Sequence, residues 1–165
     1  MSKHPMIQDL QNLRGNPKAC VLTEPLWGIP HSLYVPFVSV YMLALGLTDV
    51  QIGLIASLTL LIRACTAVIS GTVTDKLGRK RTTIIFDILS WSVPCLMWAV
   101  AQNVWWFYIA ALFNGLWQMT ENSWTCLLVE DAEKSKMVNI YSWIYVAGQL
   151  SVFFAPLSGL LVGKL

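Results

Sequence analysis

The sequence predicts an all-α membrane protein with about five transmembrane helices, and three observations carry that reading. The 165-residue chain is 56% apolar and only 12% charged, whereas soluble domains carry about 25% charged residues. Its charges gather in short segments separated by apolar runs, each long enough to cross a ~30 Å hydrocarbon core. The cations Lys3, Arg14, Lys18, Lys76, Arg79, Lys80, Arg81, Lys134 and Lys136 lie on one side of an alternating path through those runs. The turns on the other side, around Asp49 and Asn103, contain none. With 11 Lys and Arg against 9 Asp and Glu, bulk charge gives no reason to invoke a nucleic-acid partner; the lipid bilayer is the partner the composition implies.

Residues 1–24 are polar and lack the apolar core of a cleavable leader, so they read as a cytoplasmic tail. Residues 25–165 form the membrane domain. No charge falls between Glu24 and Asp49, which sets a first span at about 26–47 with Pro30 and Pro36 as expected kinks. The second span, 50–74, is interrupted only by Arg63. The segment Gly71 to Arg81 then reads as a charged hairpin, with Gly71 and Gly78 allowing close backbone approach and a tight reversal. The third span, 82–102, carries Asp87 near its start and Pro94 inside. Trp105 and Trp106 open the fourth, 104–129, at the depth where indoles favour headgroups. The loop Glu130 to Lys136 leads to the fifth, 137–163, whose Gly148, Ser151, Ala155, Gly159 and Gly163 permit a close helix neighbour.

A charged side chain at the centre of a membrane helix costs ~2.5 to 3.5 kcal/mol even on lenient scales, so Arg63 and Glu121 need partners or water. Arg63 lies about 18 Å of helix rise before Asp75, and Glu121 about 12 Å before Val129. A buried Arg63–Glu121 pair is the favoured solution, and a watery cavity around each, or a partner absent from this chain, is the alternative. On an unbroken helix Asn114, Gln118, Glu121 and Thr125 share one face, flanked by Trp117 and Trp124. In the first span Trp27, His31, Tyr34 and Tyr41 form a similar face. Both faces read either as solute-contacting surface or as polar glue between helices. Cys20, Cys65, Cys95 and Cys126 show no CxxC pair and no His at metal spacing, and no HExxH or GxSxG occurs. The sequence therefore points to no catalytic residue, no metal, no cofactor and no enzyme activity.

The segment Gly71-x-x-x-Asp75-Lys76-x-Gly78-Arg79-Lys80 resembles the signature loop that joins helices 2 and 3 in the major facilitator superfamily (MFS). Its position after the second span and its cytoplasmic side agree with that resemblance. Asp49-Val-Gln-Ile-Gly53 and the acidic Glu130-Asp131 are also similar to features of bacterial members. Asn114-Gly115 matches the end of a helix 4 pattern of proton-coupled members, but Ala111 stands where that pattern has arginine. Ala155-Pro156 resembles the exchanger motif of helix 5 only in part. The resemblance implies an incomplete MFS-type N-terminal six-helix bundle, with helices 1 and 4 lining a central cavity. It implies alternating access to a small solute, H+ or Na+ as a candidate coupling ion, and a latch built from Gly71, Asp75, Lys76, Gly78, Arg79 and Lys80 against a C-terminal half. His31, Tyr34, Arg63, Asn114, Gln118 and Glu121 become candidates for solute or ion contact. Five spans fall short of one six-helix half, so the chain is expected to be an N-terminal fragment, inactive alone. The alternative is a small multi-pass interaction or regulatory subunit.

The positive-inside rule places the N-terminus and both charged loops in the cytoplasm of a multi-pass cell-membrane protein. Alkaline phosphatase fused after Asn103 in bacterial cells should therefore be active, and the same enzyme fused after Lys134 inactive.

Overall fold

The computed structural model describes residues 12–157, so the expectations at Lys3, Gly159 and Gly163 lie outside the described residues. It is helical throughout, with no strand among the described residues. The helices are α1 (Gly15–Tyr34), α2 (Val38–Ala44), α3 (Asp49–Leu77), α4 (Arg79–Asp87), α5 (Val93–Ala99), α6 (Val104–Asn114), α7 (Trp117–Glu130) and α8 (Met137–Val152). Three stretches are long and apolar enough to cross a membrane by length and composition: Asp49–Leu77, Arg79–Ala99 and Lys134–Leu157. The first and fourth runs are helical but interrupted, the first by the 3-10 turn Val35–Phe37 and the fourth at Gly115–Leu116. The chain divides into two compact units, one of residues up to Val38 with those from Leu127 onward, the other Ser39–Cys126.

In the first unit α1 packs on α8. Gly28 makes this possible, because a Cβ there would sit 2.7 Å from Ser151 Oγ. Ser151 Oγ in turn donates to the Ala147 carbonyl at 2.9 Å, which keeps the buried hydroxyl satisfied. Of the small residues expected to serve close packing in the fifth span, Ser151 does so here, while a Cβ on Gly148 would meet nothing within 4 Å. The helix also reaches back into the segment read as a tail. It starts at Gly15 (φ 67°), where Asp131 Oδ2 accepts from the Asn16 N–H at 3.3 Å and Glu130 Oε2 from Asn16 Nδ2 at 3.0 Å. Pro17, Cys20 and Val21 are buried at the spacing of one helix face, and Leu13, just before the helix, is buried as well. Polar composition concealed this docking, since it is fixed by acidic residues far along the chain.

The second unit is organised around α3. Its start is a capping box: the Thr48 hydroxyl accepts from the Gln51 N–H at 3.3 Å and the Thr48 N–H donates to Gln51 Oε1 at 2.9 Å. Its end corrects the expected hairpin. The segment is helical up to Leu77 and again from Arg79, so the reversal is made by Gly78 alone at φ 83°, a left-handed backbone that favours glycine. The Gly78 N–H closes α3 on Thr74 O at 2.9 Å, and Gly78 O accepts from the Thr82 N–H and hydroxyl, both at 3.0 Å. Gly71 belongs to the body of α3, and a Cβ there would meet nothing within 4 Å, so it supplies neither turn nor close approach.

The fourth run packs against α3 at Gly115. A Cβ on Gly115 would lie 2.5 Å from Ile62 Cβ and 3.1 Å from the Thr59 carbonyl. Replacing Gly115 with Val should therefore cost about 1–3 kcal/mol through overpacking. Gly71→Ala should leave stability unchanged or raise it by about 0.5–1 kcal/mol, since Ala loses less entropy than Gly in a helix. Unfolding of the purified chain in mixed detergent and denaturant checks both.

Candidate functional site

Two interruptions shape the inside of the second unit, and each frees a backbone carbonyl that another helix then satisfies. Pro94 has no N–H, so it cannot donate to the Ser90 carbonyl as the α-helical pattern requires. The chain answers with a π-helical turn over Ile88–Ser92, in which the Val93 N–H donates to Ile88 O. Asn114 Nδ2, from the end of α6, donates to the freed Ser90 O at 3.1 Å. At the second break, the Met119 N–H donates to Leu116 O at 2.9 Å. The Gly115 carbonyl lies 3.1 Å from the buried Thr66 hydroxyl of α3, whose single proton it shares with the Arg63 carbonyl of that helix, also at 3.1 Å. A third cross-helix bond joins the hydroxyls of Thr83 and Ser123 at 2.8 Å.

Beside these bonds lies the charged pair. Arg63 Nη2 on α3 stands 3.6 Å from Glu121 Oε2 on α7, with side chains 31% and 44% exposed. That is ion-pair range but longer than the ~2.7–2.9 Å of a charge-assisted hydrogen bond. The guanidinium carbon lies 4.2 Å from the centroid of the Trp117 ring, a cation–π contact. Trp91, within the π-helical turn, meets Trp117 edge-on with centroids 6.1 Å apart.

The structure thus brings Arg63 and Glu121 together, but half-exposed rather than buried. It does not keep the expected four-residue face. Asn114 closes α6 while Gln118, Glu121 and Thr125 ride on α7, so the break at Gly115–Leu116 removes the single helical register that the face assumed. Asn114 is committed to Ser90, and Gln118 is half-buried with no side-chain hydrogen bond among the described residues. His31 and Tyr34 belong to the other unit, where His31 stacks on Trp27 at 4.5 Å and meets Tyr34 edge-on at 6.0 Å. Of the hairpin residues, Asp75 and Lys76 end α3, and Arg79 and Lys80 begin α4; all four are exposed. Sequence reasoning missed Thr66 and Ser90. The signal for Ser90 was present, since Pro94 four residues later must orphan its carbonyl; nothing local marks Thr66.

A helical chain with three stretches long and apolar enough to cross a membrane, a charged pair joining α3 to α7 and a basic one-residue reversal between α3 and α4 defines an all-α membrane protein. The family model described as Major Facilitator Superfamily matches residues 28–165, and the chain belongs to that family. It is 27% identical over 135 residues to the uncharacterized MFS-type transporter YqjV of Bacillus subtilis, covering 81% of this chain and 33% of the relative. It is 28% identical over 145 residues to the multidrug resistance protein MdtG of Salmonella paratyphi A, covering 85% and 35%. Against MdtG of Klebsiella pneumoniae it is 32% identical over 111 residues, covering 64% and 26%. The chain spans about a third of the length of these curated relatives. No solved structure matches.

If Asn114 is there to satisfy Ser90, Asn114→Leu should cost about 1–3 kcal/mol by leaving that carbonyl unpaired. In a Pro94→Ala background, where residue 94 regains an N–H, the same change should cost less than about 1 kcal/mol. A double-mutant cycle on unfolding free energy reads the coupling.

Proposed function

We propose that this chain is the N-terminal part of a secondary transporter that carries a small solute across the cell membrane by alternating access, and that it has no transport activity alone. The observation that carries the reading is Arg63, in the middle of the long apolar helix Asp49–Leu77, paired with Glu121 of α7 and set against the Trp117 ring. Ionisable groups at that depth are costly, and they mark solute, ion or proton paths far more often than they serve packing. Family membership supports transport as the use made of that cost, rather than enzyme chemistry.

In this reading Arg63, Glu121 and Gln118 contact solute or a coupling ion, H+ or Na+, while in the other unit His31 and Tyr34 give α1 an aromatic, titratable surface. Asp75, Lys76, Arg79 and Lys80 stand at the cytoplasmic reversal, and Gly78 fixes its geometry. They form a latch: Asp75 meets a helix end or cation of the C-terminal half, and the cations meet acidic groups or anionic headgroups. Relatives named multidrug resistance proteins make drugs the first solutes to test.

The test compares ethidium efflux from cells expressing residues 1–165 alone with efflux from cells expressing them together with any coding sequence that continues beyond Leu165. Efflux is expected only from the longer product, and Arg63→Ala should reduce it by at least tenfold. Solute movement by the 165-residue chain in proteoliposomes would overturn the claim that it is inactive alone. Undiminished efflux in both Arg63→Ala and Glu121→Ala would remove the pair from the path.

A further inference from the structure

Arg63 has two attractions to divide itself between, and the geometry shows how the division is set. Its guanidinium lies 4.2 Å from the Trp117 centroid, yet its nearest nitrogen stops 3.6 Å short of the Glu121 carboxylate. A free Arg63 would close that gap, because a charge-assisted hydrogen bond in a region of low dielectric is stronger than a looser ion pair. Something holds it back. Among the described residues, Trp117 is the ring against the guanidinium face, and it is itself braced by the edge of Trp91 at 6.1 Å and 77°. Trp91 is carried by the π-helical turn Ile88–Ser92, whose Ser90 carbonyl is tied to Asn114 at 3.1 Å. Asn114 in turn lies three residues before Trp117 across the Gly115–Leu116 break. Pro94, the π-helical turn, Asn114 and Trp91 therefore stand behind the one ring, Trp117, that faces the cation.

We infer that Trp117 is a positioning residue that holds Arg63 at stand-off from Glu121, so that the carboxylate stays available to a second cation or proton instead of being neutralised by a tight internal pair. The pair is kept close enough for each charge to offset the other's desolvation, and far enough apart for Glu121 to retain an open lone pair. The functional use of this arrangement rests on the reading of Arg63 and Glu121 given above. The stand-off itself does not, and it can be measured without any transported solute.

Dicyclohexylcarbodiimide, an apolar reagent that attacks protonated carboxyl groups inside membranes, is the probe. Labelling of the Glu121 peptide is followed by mass spectrometry on the full 165-residue chain in detergent at one fixed pH. Loss of the indole face in Trp117→Leu should let Arg63 close on Glu121, stabilise the carboxylate and slow labelling about two- to fivefold, the range of one cation–π contact. Trp117→Phe, which keeps a π face, should label within about a factor of two of the parent. Arg63→Gln should label faster than the parent, and Trp117→Leu should have no further effect in that background. That last outcome separates positioning from simple loss of packing, since a disturbed fold would alter access to Glu121 whether or not Arg63 is present. Labelling of Trp117→Leu at or above the parent rate, or an unchanged Trp117→Leu effect without Arg63, overturns the inference. Where Trp117→Leu gives no monodisperse protein, Trp117→Met replaces it with the same expected order.

Discussion

Every carbonyl released by a break in a membrane helix must find a donor, because hydrocarbon offers none, and this constraint organises the unit Ser39–Cys126. Ser90 O and Gly115 O are the two cases shown, and both are answered across a helix boundary, by Asn114 and by Thr66. Each answer joins a break in one segment to a fixed position on another. The breaks are therefore where the helices are registered against each other. Gly115 adds a steric counterpart, since α3 comes so near that a Cβ there would overlap Ile62. Small residues and polar caps do together what apolar burial does in water, where lipid tails offer helices no hydrophobic reason to associate.

The same frame lets an arginine stay inside. Its charge is met by a carboxylate at 3.6 Å and an indole face at 4.2 Å. The indole contributes without demanding a proton or a counter-charge, so the site remains close to neutral while neither charged group is saturated. A structural ion pair would be expected to close to hydrogen-bonding distance, since that is where the attraction best offsets desolvation. An open pair is an arrangement that leaves capacity for another ligand.

Much of the fold was legible in the sequence because hydropathy and charge placement report directly on a bilayer. The apolar runs, the turn before Asp49 and the reversal near Gly78 all follow from residue type. What was not legible depended on contacts far apart in the chain. The run from Val104 to Val129 looks uniformly helical, and nothing local shows that Gly115 faces Ile62 and that the helix breaks there. Gly71 and Gly78 look alike in the charged segment, yet only Gly78 has the positive φ that makes the turn. The polar stretch before Glu24 reads as a tail because the acidic residues that dock its helix, Glu130 and Asp131, lie beyond the fourth run. In the candidate site, the Arg63–Glu121 proximity could be argued from depth, whereas the Trp117 ring against Arg63 needed the geometry of α7 after the break.

That break also sorts the polar residues of the membrane interior by use. A single unbroken face would have offered Asn114, Gln118, Glu121 and Thr125 as equivalent contacts. Instead Asn114 commits a donor to Ser90 O, and Thr66 of α3 shares its hydroxyl proton between Gly115 O and the Arg63 carbonyl of its own helix. Drawing either bonded hydrogen away to a solute would leave a carbonyl short of a donor in an apolar medium, at a cost comparable to the stabilisation the new bond would bring, although Asn114 keeps a second N–H and both side chains keep acceptor capacity. Arg63, Gln118 and Glu121 carry no such obligation to the backbone. The proline at position 94 and the glycine at position 115 thus fix which of these polar residues fasten the helices, and Arg63, Gln118 and Glu121 are the ones the proposal leaves for a ligand.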